Sequence, residues 1–385
     1  MLAVMLHVGV GLLATAQRLV SGLQINNFLI FRSSFFHLLA GRDLYAAYPA
    51  EHFDLYKYSP TWALLFAPFA VVPIGAGVLI WNATNAIALC VALAVLLPAR
   101  AASLALGVCF FEALGSMQNA QSNGLVAALM ISALIAAEKG HRARGAGAIA
   151  VGACIKLFPA AAGVFGLLNG ARWRHLGWSI AAGALLLGLP LLVTPAETLV
   201  AQYRSWLIVE TRDHAETGML WLGGAVEHAL GRPLAHWPIQ LFGVAWIGAT
   251  CVVAANRWSD ADIRRLLLAT LLVFATIFNH QAESPSYVIA FAGIGIWWSV
   301  LPRARWRDAL VFATVLVGSL GGTDLVPRAW RVAYYHEWRL KAVVTSLAWI
   351  AMQVDIWRAV GGVSGWRSSP VAMGAIEGTV PSRDV

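Results

Sequence analysis

The sequence predicts an all-α, polytopic membrane protein with about ten to twelve membrane-embedded helices. Three observations predict it. Hydrophobic residues make up 59% of the 385 and charged residues only 12%, roughly half the ~25% of a soluble domain. The apolar residues come in blocks, such as 75–97 and 239–255, that match the roughly 20 residues a helix needs to cross the hydrocarbon core. The charges cluster between these blocks, and so few of them cannot solvate a water-soluble chain of this size.

The elements follow in order. Residues 2–20 form an apolar block without a basic leading region or a small-residue cleavage site, and so read as a retained span. Residues 27–39 are amphipathic at helical spacing, with Phe28, Phe31, Phe35 and Leu38/Leu39 on one face, as in a helix lying at the membrane interface. Further crossings are expected near 75–97, 102–117, 123–138, 176–194, 238–256, 266–282, 286–301, 308–321 and 342–357. Two apolar pieces do not fit a simple crossing. Residues 62–72 are too short, and 145–168 is interrupted by Lys156 and Pro159. Both read as broken or re-entrant helices, which survive at membrane depth only when buried in protein or lining a cavity.

The loops fall into two sets. One is short and basic, with Arg100; Lys139, Arg142 and Arg144; Arg172 and Arg174; Arg257, Arg264 and Arg265; and Arg303, Arg305 and Arg307. Such loops stay on the cytoplasmic side. Arg144 and Arg172 can share that side only if the segment between them enters and returns, in keeping with the break at Lys156–Pro159. The opposite face carries long segments at 21–60, 195–237 and 321–341, which hold Asp43, Glu51, Asp54, Glu197, Glu210, Asp213, Glu216, Glu227, Asp324 and Glu337. Loops of that length usually carry function or are disordered, and their Trp, Tyr and Leu content argues for order. The expected organisation is a single membrane domain over 1–360, with a disordered cytoplasmic tail over 361–385 and no internal repeat.

The formal charge of +8 is explained by basic loops flanking spans. No basic run interleaved with aromatics sits in a solvated domain, so no nucleic-acid partner is expected. Cys90, Cys109, Cys154 and Cys251 lie apart inside apolar stretches. They form no CxxC pair, and neither a metal site nor a disulfide framework is expected.

Four polar clusters are candidates for chemistry. The first outer loop gathers Asp43, Tyr45, Tyr48, Glu51, His52, Asp54, Lys57 and Tyr58. Acids, an imidazole and phenols are the materials of proton transfer, although a loop that merely solvates the membrane surface has a similar composition. The stretch SMQNAQSNG places Gln118, Asn119, Gln121 and Asn123 between two spans. Amides there suit a sugar or headgroup, or simply cap two helices. Glu112 lies deeper, sharing an i, i+4, i+7 face with Ser116 and Asn119. A carboxylate at that depth faces a cavity or a partner. Lys156, in ACIKLFP, is a cation inside an apolar helix, placed to meet a lipid phosphate or an acid. In NHQAESPSY, His280 and Glu283 stand as a base and an orienting partner, or as a satisfied turn. Arg204, Arg212, Asp213 and His214 in one long loop, and Asp324, Arg328 and Arg331 in another, add arginines suited to phosphate.

At this point the chain resembles glycosyltransferase family 87. The resemblance rests on LLAGRDLY followed by YKYSPTWALLFAPFAVVP, on QNAQSNGL, on a basic turn followed by GAGAIAVGACIKLFP and GLLNGARWR, and on a hydropathy profile covering nearly the whole chain. It implies a C-type glycosyltransferase-like fold in the plasma membrane. It implies transfer of a hexose such as mannose from a polyprenyl-phosphate sugar donor to a lipid or glycan acceptor on the outer face. The donor enters sideways from the lipid bilayer, an acid of the first outer loop deprotonates the acceptor hydroxyl, and the lipid phosphate leaves with inversion. No cofactor, nucleotide or metal is implied. The family usually has an acid near the start of the amphipathic helix, where this chain has Asn27. Because Asn cannot act as a base, the role passes to Asp43, Glu51, Asp54 or Glu283, with His280 beside them. The expected substrate-binding residues are Asn27, Tyr48, Lys57, Tyr58, Glu112, Gln118, Gln121, Asn123, Lys156, Arg204 and Arg328. A non-catalytic lipid-binding or transport protein on the same scaffold is the alternative, although transporters usually show inverted repeats.

Overall fold

The computed structural model describes residues 2–23, 25–212 and 219–362. Asp213, His214, Glu216 and residues 363–385 of the tail expected over 361–385 lie outside the described residues. Among the described residues the regular structure is helical, with no strand, and the chain is an all-α polytopic membrane protein.

α1 (Leu2–Val20) and α2 (Asn26–Leu39) lead into the first long loop. The short helices α3 (Pro60–Leu65) and α4 (Ala67–Ala70) follow. Ser59 caps α3 by accepting from the Trp62 N–H, with Pro60 at the first helical position, where its missing N–H costs nothing. α5 (Ile74–Leu96), α6 (Ala99–Gln118) and α7 (Asn123–Glu138) come next. α8 (Arg142–Ile155) stops at Lys156, whose backbone is extended at φ −146°, ψ 141°. A 3-10 turn (Phe158–Gly163) and α9 (Val164–Leu168) then run back. The return is fixed by the Asn169 amide, which donates to the Ala137 carbonyl at the end of α7. The segment therefore climbs and comes back, as the Lys156–Pro159 break implies.

α10 (Arg172–Gly188) and a 3-10 turn (Leu189–Leu192) precede α11 (Ala196–Arg212), α12 (Leu222–Leu230), α13 (His236–Ala255) and α14 (Ala261–Ile277). After a 3-10 turn at Ser284–Ser286 come α15 (Tyr287–Val300), α16 (Arg305–Ala313) with a π-helical turn (Thr314–Leu320), α17 (Arg328–Trp330) with another (Arg331–His336), and α18 (Leu340–Val360). Among the described residues, six helices are long and apolar enough to cross a membrane: α1, α5, α6, α10 with its 3-10 extension, α13 and α18. α7, α14 and α15 are shorter. The reason is visible in the packing. α14 and α15 are buried along nearly their whole length, so protein rather than lipid surrounds them. α1, α10 and α13 leave most of their surface uncovered.

Close backbone approach holds the centre. A Cβ at Gly293 of α15 would lie 2.6 Å from the Ala269 carbonyl oxygen of α14, and one at Gly295 would lie 2.7 Å from Ala105 Cα of α6. Small residues at such crossings let helices pack without bulky side chains between them. At one end, Arg264 pairs with Glu138 at 2.7 Å and Arg307 with Asp355 at 3.0 Å, so short basic loops do gather there. At the other end the long segments interlock. Gln202 donates to the Arg42 carbonyl at 2.7 Å, Thr61 to that of Leu186 at 2.7 Å, and the Leu220 N–H to that of Ala282 at 2.8 Å.

The apolar face of α2 is covered by protein. Phe28, Phe31, Phe35 and Leu38 are buried, and Phe31 meets the rings of Tyr58, Trp62, Phe66 and Trp81. Leu39, expected on that face, is instead 47% exposed.

Candidate functional site

A cavity of about 520 Å³ opens among the long segments. That volume lies within the usual range for small-molecule sites, about 300–1,000 Å³. The first loop supplies Asp54, Lys57 and Tyr58, and α2 supplies Asn27. Gln121 comes from the turn before α7, Lys156 from the break after α8, and His280 and Glu283 from the turn before α15. Trp206 and Glu210 of α11, Gln240 of α13, and Asn279, Gln281 and Ser286 beside the last turn complete the polar part. Ile155, Leu157, Phe158, Ala161, Val244, Phe274 and Phe278 form an apolar flank. Leu157 is 58% exposed and Val244 55%, so this flank is open.

Each polar group is placed by a specific contact. The Ser59 hydroxyl donates to the Cys154 carbonyl at 2.7 Å, and the Tyr45 hydroxyl to the Tyr58 carbonyl at 2.7 Å. The first of these bonds ties the loop to α8, and the second holds the loop to itself. Asp54 Oδ1 accepts from the Leu55 N–H at 2.7 Å, and the Asp54 carbonyl lies 2.6 Å from His52 Nδ1. The Asn27 amide donates to the Asn119 carbonyl at 2.9 Å. Lys156 Nζ donates to Asn123 Oδ1 at 2.8 Å, and Gln121 Nε2 to Glu283 Oε2 at 3.2 Å. Gln240 Nε2 lies 3.0 Å from His280 Nδ1; the amide can only donate there, so that nitrogen is the acceptor. Trp206 Nε1 donates to Glu210 Oε1 at 3.2 Å.

Burial pushes the Tyr58 phenol far up, and the negative charges of Glu283 and Asp54 push it further. It therefore stays neutral. The cavity thus combines carboxylates, cations, amides and an imidazole with an apolar wall. Chemically this suits a ligand with hydroxyls and an anionic group at one end and hydrocarbon at the other.

Half of the residues singled out from the sequence meet in this cavity: Asn27, Asp54, Lys57, Tyr58, Gln121, Lys156, His280 and Glu283. The others do not line it. Asp43 is exposed and accepts from the Tyr45 N–H at 3.0 Å, and its carbonyl accepts from the Tyr48 hydroxyl at 2.8 Å. Glu51 pairs with His37 at 3.1 Å. Glu112 is paired with Lys341 at 2.7 Å inside the bundle. Gln118 ends α6, Asn123 stands behind Lys156, and Arg204 and Arg328 are exposed.

Sequence reasoning missed Trp206, Glu210 and Gln240 as site residues. The i, i+4 spacing of Trp206 and Glu210 was a usable helical signal. Gln240 sits in an apolar block and looks lipid-facing until its bond to His280 is seen. Lys341 was also missed. It opens the last span, and the rule that singles out Lys156 applies to it equally.

The family model of glycosyltransferase family 87 matches residues 56–279, more than half of the chain. That stretch includes Tyr58, Gln121 and Lys156 and ends at Asn279, beside His280. No curated protein matches the chain.

Proposed function

The chain belongs to glycosyltransferase family 87, and from that membership we propose that this membrane glycosyltransferase moves a hexose, mannose being the first candidate, from a polyprenyl phosphate to a lipid or glycan hydroxyl. The site would face the outer side of the plasma membrane, because the short basic loops lie at the opposite end. One observation carries the reading: a single cavity joins Asp54, Glu283 and Lys156 to an apolar flank that opens at Leu157 and Val244. A lipid-linked sugar needs both halves. The isoprenoid leaves through the apolar flank while the phosphate and sugar remain among polar groups.

In the proposed reaction Asp54 takes the proton of the acceptor hydroxyl as its oxygen attacks the anomeric carbon. The bond from that carbon to the phosphate oxygen breaks, and the electron pair leaves on the lipid phosphate. Lys156 and Lys57 offset the charge that develops there. Glu283 and Gln121 accept and donate to sugar hydroxyls. Tyr58 stays protonated, held so first by burial and then by the charges of Glu283 and Asp54. Asn27 serves the site as an amide, held to Asn119.

The test uses purified protein, a labelled polyprenyl-phosphate hexose and a membrane lipid extract. Label is expected to move to a new product, and Asp54→Asn is expected to lower turnover by about 10²- to 10⁴-fold while donor binding persists. Donor binding by the wild-type protein with no transfer would favour the lipid-binding alternative.

A further inference from the structure

Glu112 of α6 and Lys341 of α18 lie outside the cavity, and they are 4% and 2% exposed. Lys341 Nζ donates to Glu112 Oε2 at 2.7 Å, to Ser284 Oγ at 2.8 Å and to the Ser284 carbonyl at 3.4 Å. It also sits 5.0 Å above the Tyr287 ring. Its three protons are therefore all engaged. Burying such a pair is costly, and apolar side chains of similar volume commonly stabilise a fold as well or better. What the ionic pair adds is direction, because it selects one hydroxyl and one carbonyl on a neighbouring turn.

That turn carries a cavity carboxylate. Ser284 directly follows Glu283. On the other side, the Ala282 carbonyl accepts from the Leu220 N–H at 2.8 Å, and the Leu220 carbonyl accepts from the Tyr287 hydroxyl at 2.7 Å. Glu283 is thus held at both flanks, and its carboxylate meets Gln121 Nε2 at 3.2 Å. Gln121 follows the end of α6, the helix that bears Glu112. One ion pair therefore locks the two segments that face each other across Glu283.

We infer that Lys341 is a positioning residue: paired with Glu112, it fixes the 282–286 turn through Ser284 and so sets the Glu283 carboxylate in the cavity. Only the turnover arm of the test rests on the proposed transfer reaction.

The double variant Glu112→Leu/Lys341→Met removes both charges at similar volume and leaves no unpaired ion. Its melting temperature in detergent is expected to be unchanged or raised. Amide hydrogen exchange over 280–286 is expected to speed up by about tenfold or more. With labelled donor and lipid extract, kcat is expected to fall by about 10- to 100-fold, with KM within about threefold. Ser284→Ala keeps the ion pair and is expected to give a smaller change in the same direction, and it decides the matter if the double variant does not fold. Unchanged exchange over 280–286 in a folded variant overturns the inference, whatever the turnover. A wild-type protein that transfers no label counts against the proposed reaction instead, and the exchange measurement still decides the role of Lys341.

Discussion

Asp54 and Glu283 line the same cavity as the Tyr58 phenol, yet different partners hold them: Asp54 bonds to its own loop backbone and Glu283 to a side-chain amide. Lys156 is the cation of the cavity that interrupts an apolar stretch. Replacing it by Met should lower kcat/KM for the labelled donor by about 10²- to 10³-fold, in steady-state kinetics on protein whose melting temperature is unchanged. Outside the cavity, Glu51 gives a pH signature. Burial raises its carboxyl, but hydrogen bonds from Ser33 and His37 and the charges of His37 and His52 outweigh this and hold it below the ordinary 4.5. A group with a depressed folded value stabilises the fold above its unfolded value and loses that effect as pH falls through the folded one. The melting-temperature gap between wild type and Glu51→Gln should therefore be present at about pH 5 and close as pH falls further. At this scale the sequence was half legible. Residue type marked Asp54, Lys156 and Glu283, because ionisable groups beside apolar blocks are conspicuous. It could not pair them, because Lys341 lies 229 positions from Glu112 and no periodicity reports such a distance.

The helices were the most legible feature, because an apolar block of about 20 residues has few other ways to fold. The return over 145–168 was legible too, since Arg144 and Arg172 had to share a side while Lys156 and Pro159 interrupted the run between them. What covers a face was less legible. The α2 stripe was apolar as expected, but amphipathicity says only that a face avoids water. An aromatic cluster of Trp62, Phe66 and Trp81 covers it. That protein surrounds α14 and α15 was hidden for a similar reason, because hydropathy does not separate burial in protein from burial in lipid. Their packing makes a clear prediction. Gly295→Ala puts a methyl group against the Ala105 backbone and should destabilise the protein by about 1–3 kcal/mol. Gly248 on α13 has open space around it, so Gly248→Ala should have no such cost. Thermal unfolding of the two variants side by side checks this.

For the whole molecule, the two ends differ in chemistry: short arginine-rich loops at one, and long interlocked segments with the cavity at the other. The proposed orientation predicts labelling by a membrane-impermeant maleimide. Cys90, Cys109 and Cys154 are buried and Cys251 is half-buried, so background is low. A cysteine at exposed Ala47 should react in intact cells, and one at exposed Lys139 only after permeabilisation; the opposite pattern would turn the protein over. The open flank at Leu157 and Val244 also bears on how the enzyme should be assayed. A donor arriving through that flank is delivered by two-dimensional diffusion in the leaflet. Apparent affinity should then follow the mole fraction of donor among lipid and detergent, and adding empty micelles at constant bulk donor should slow the reaction by surface dilution.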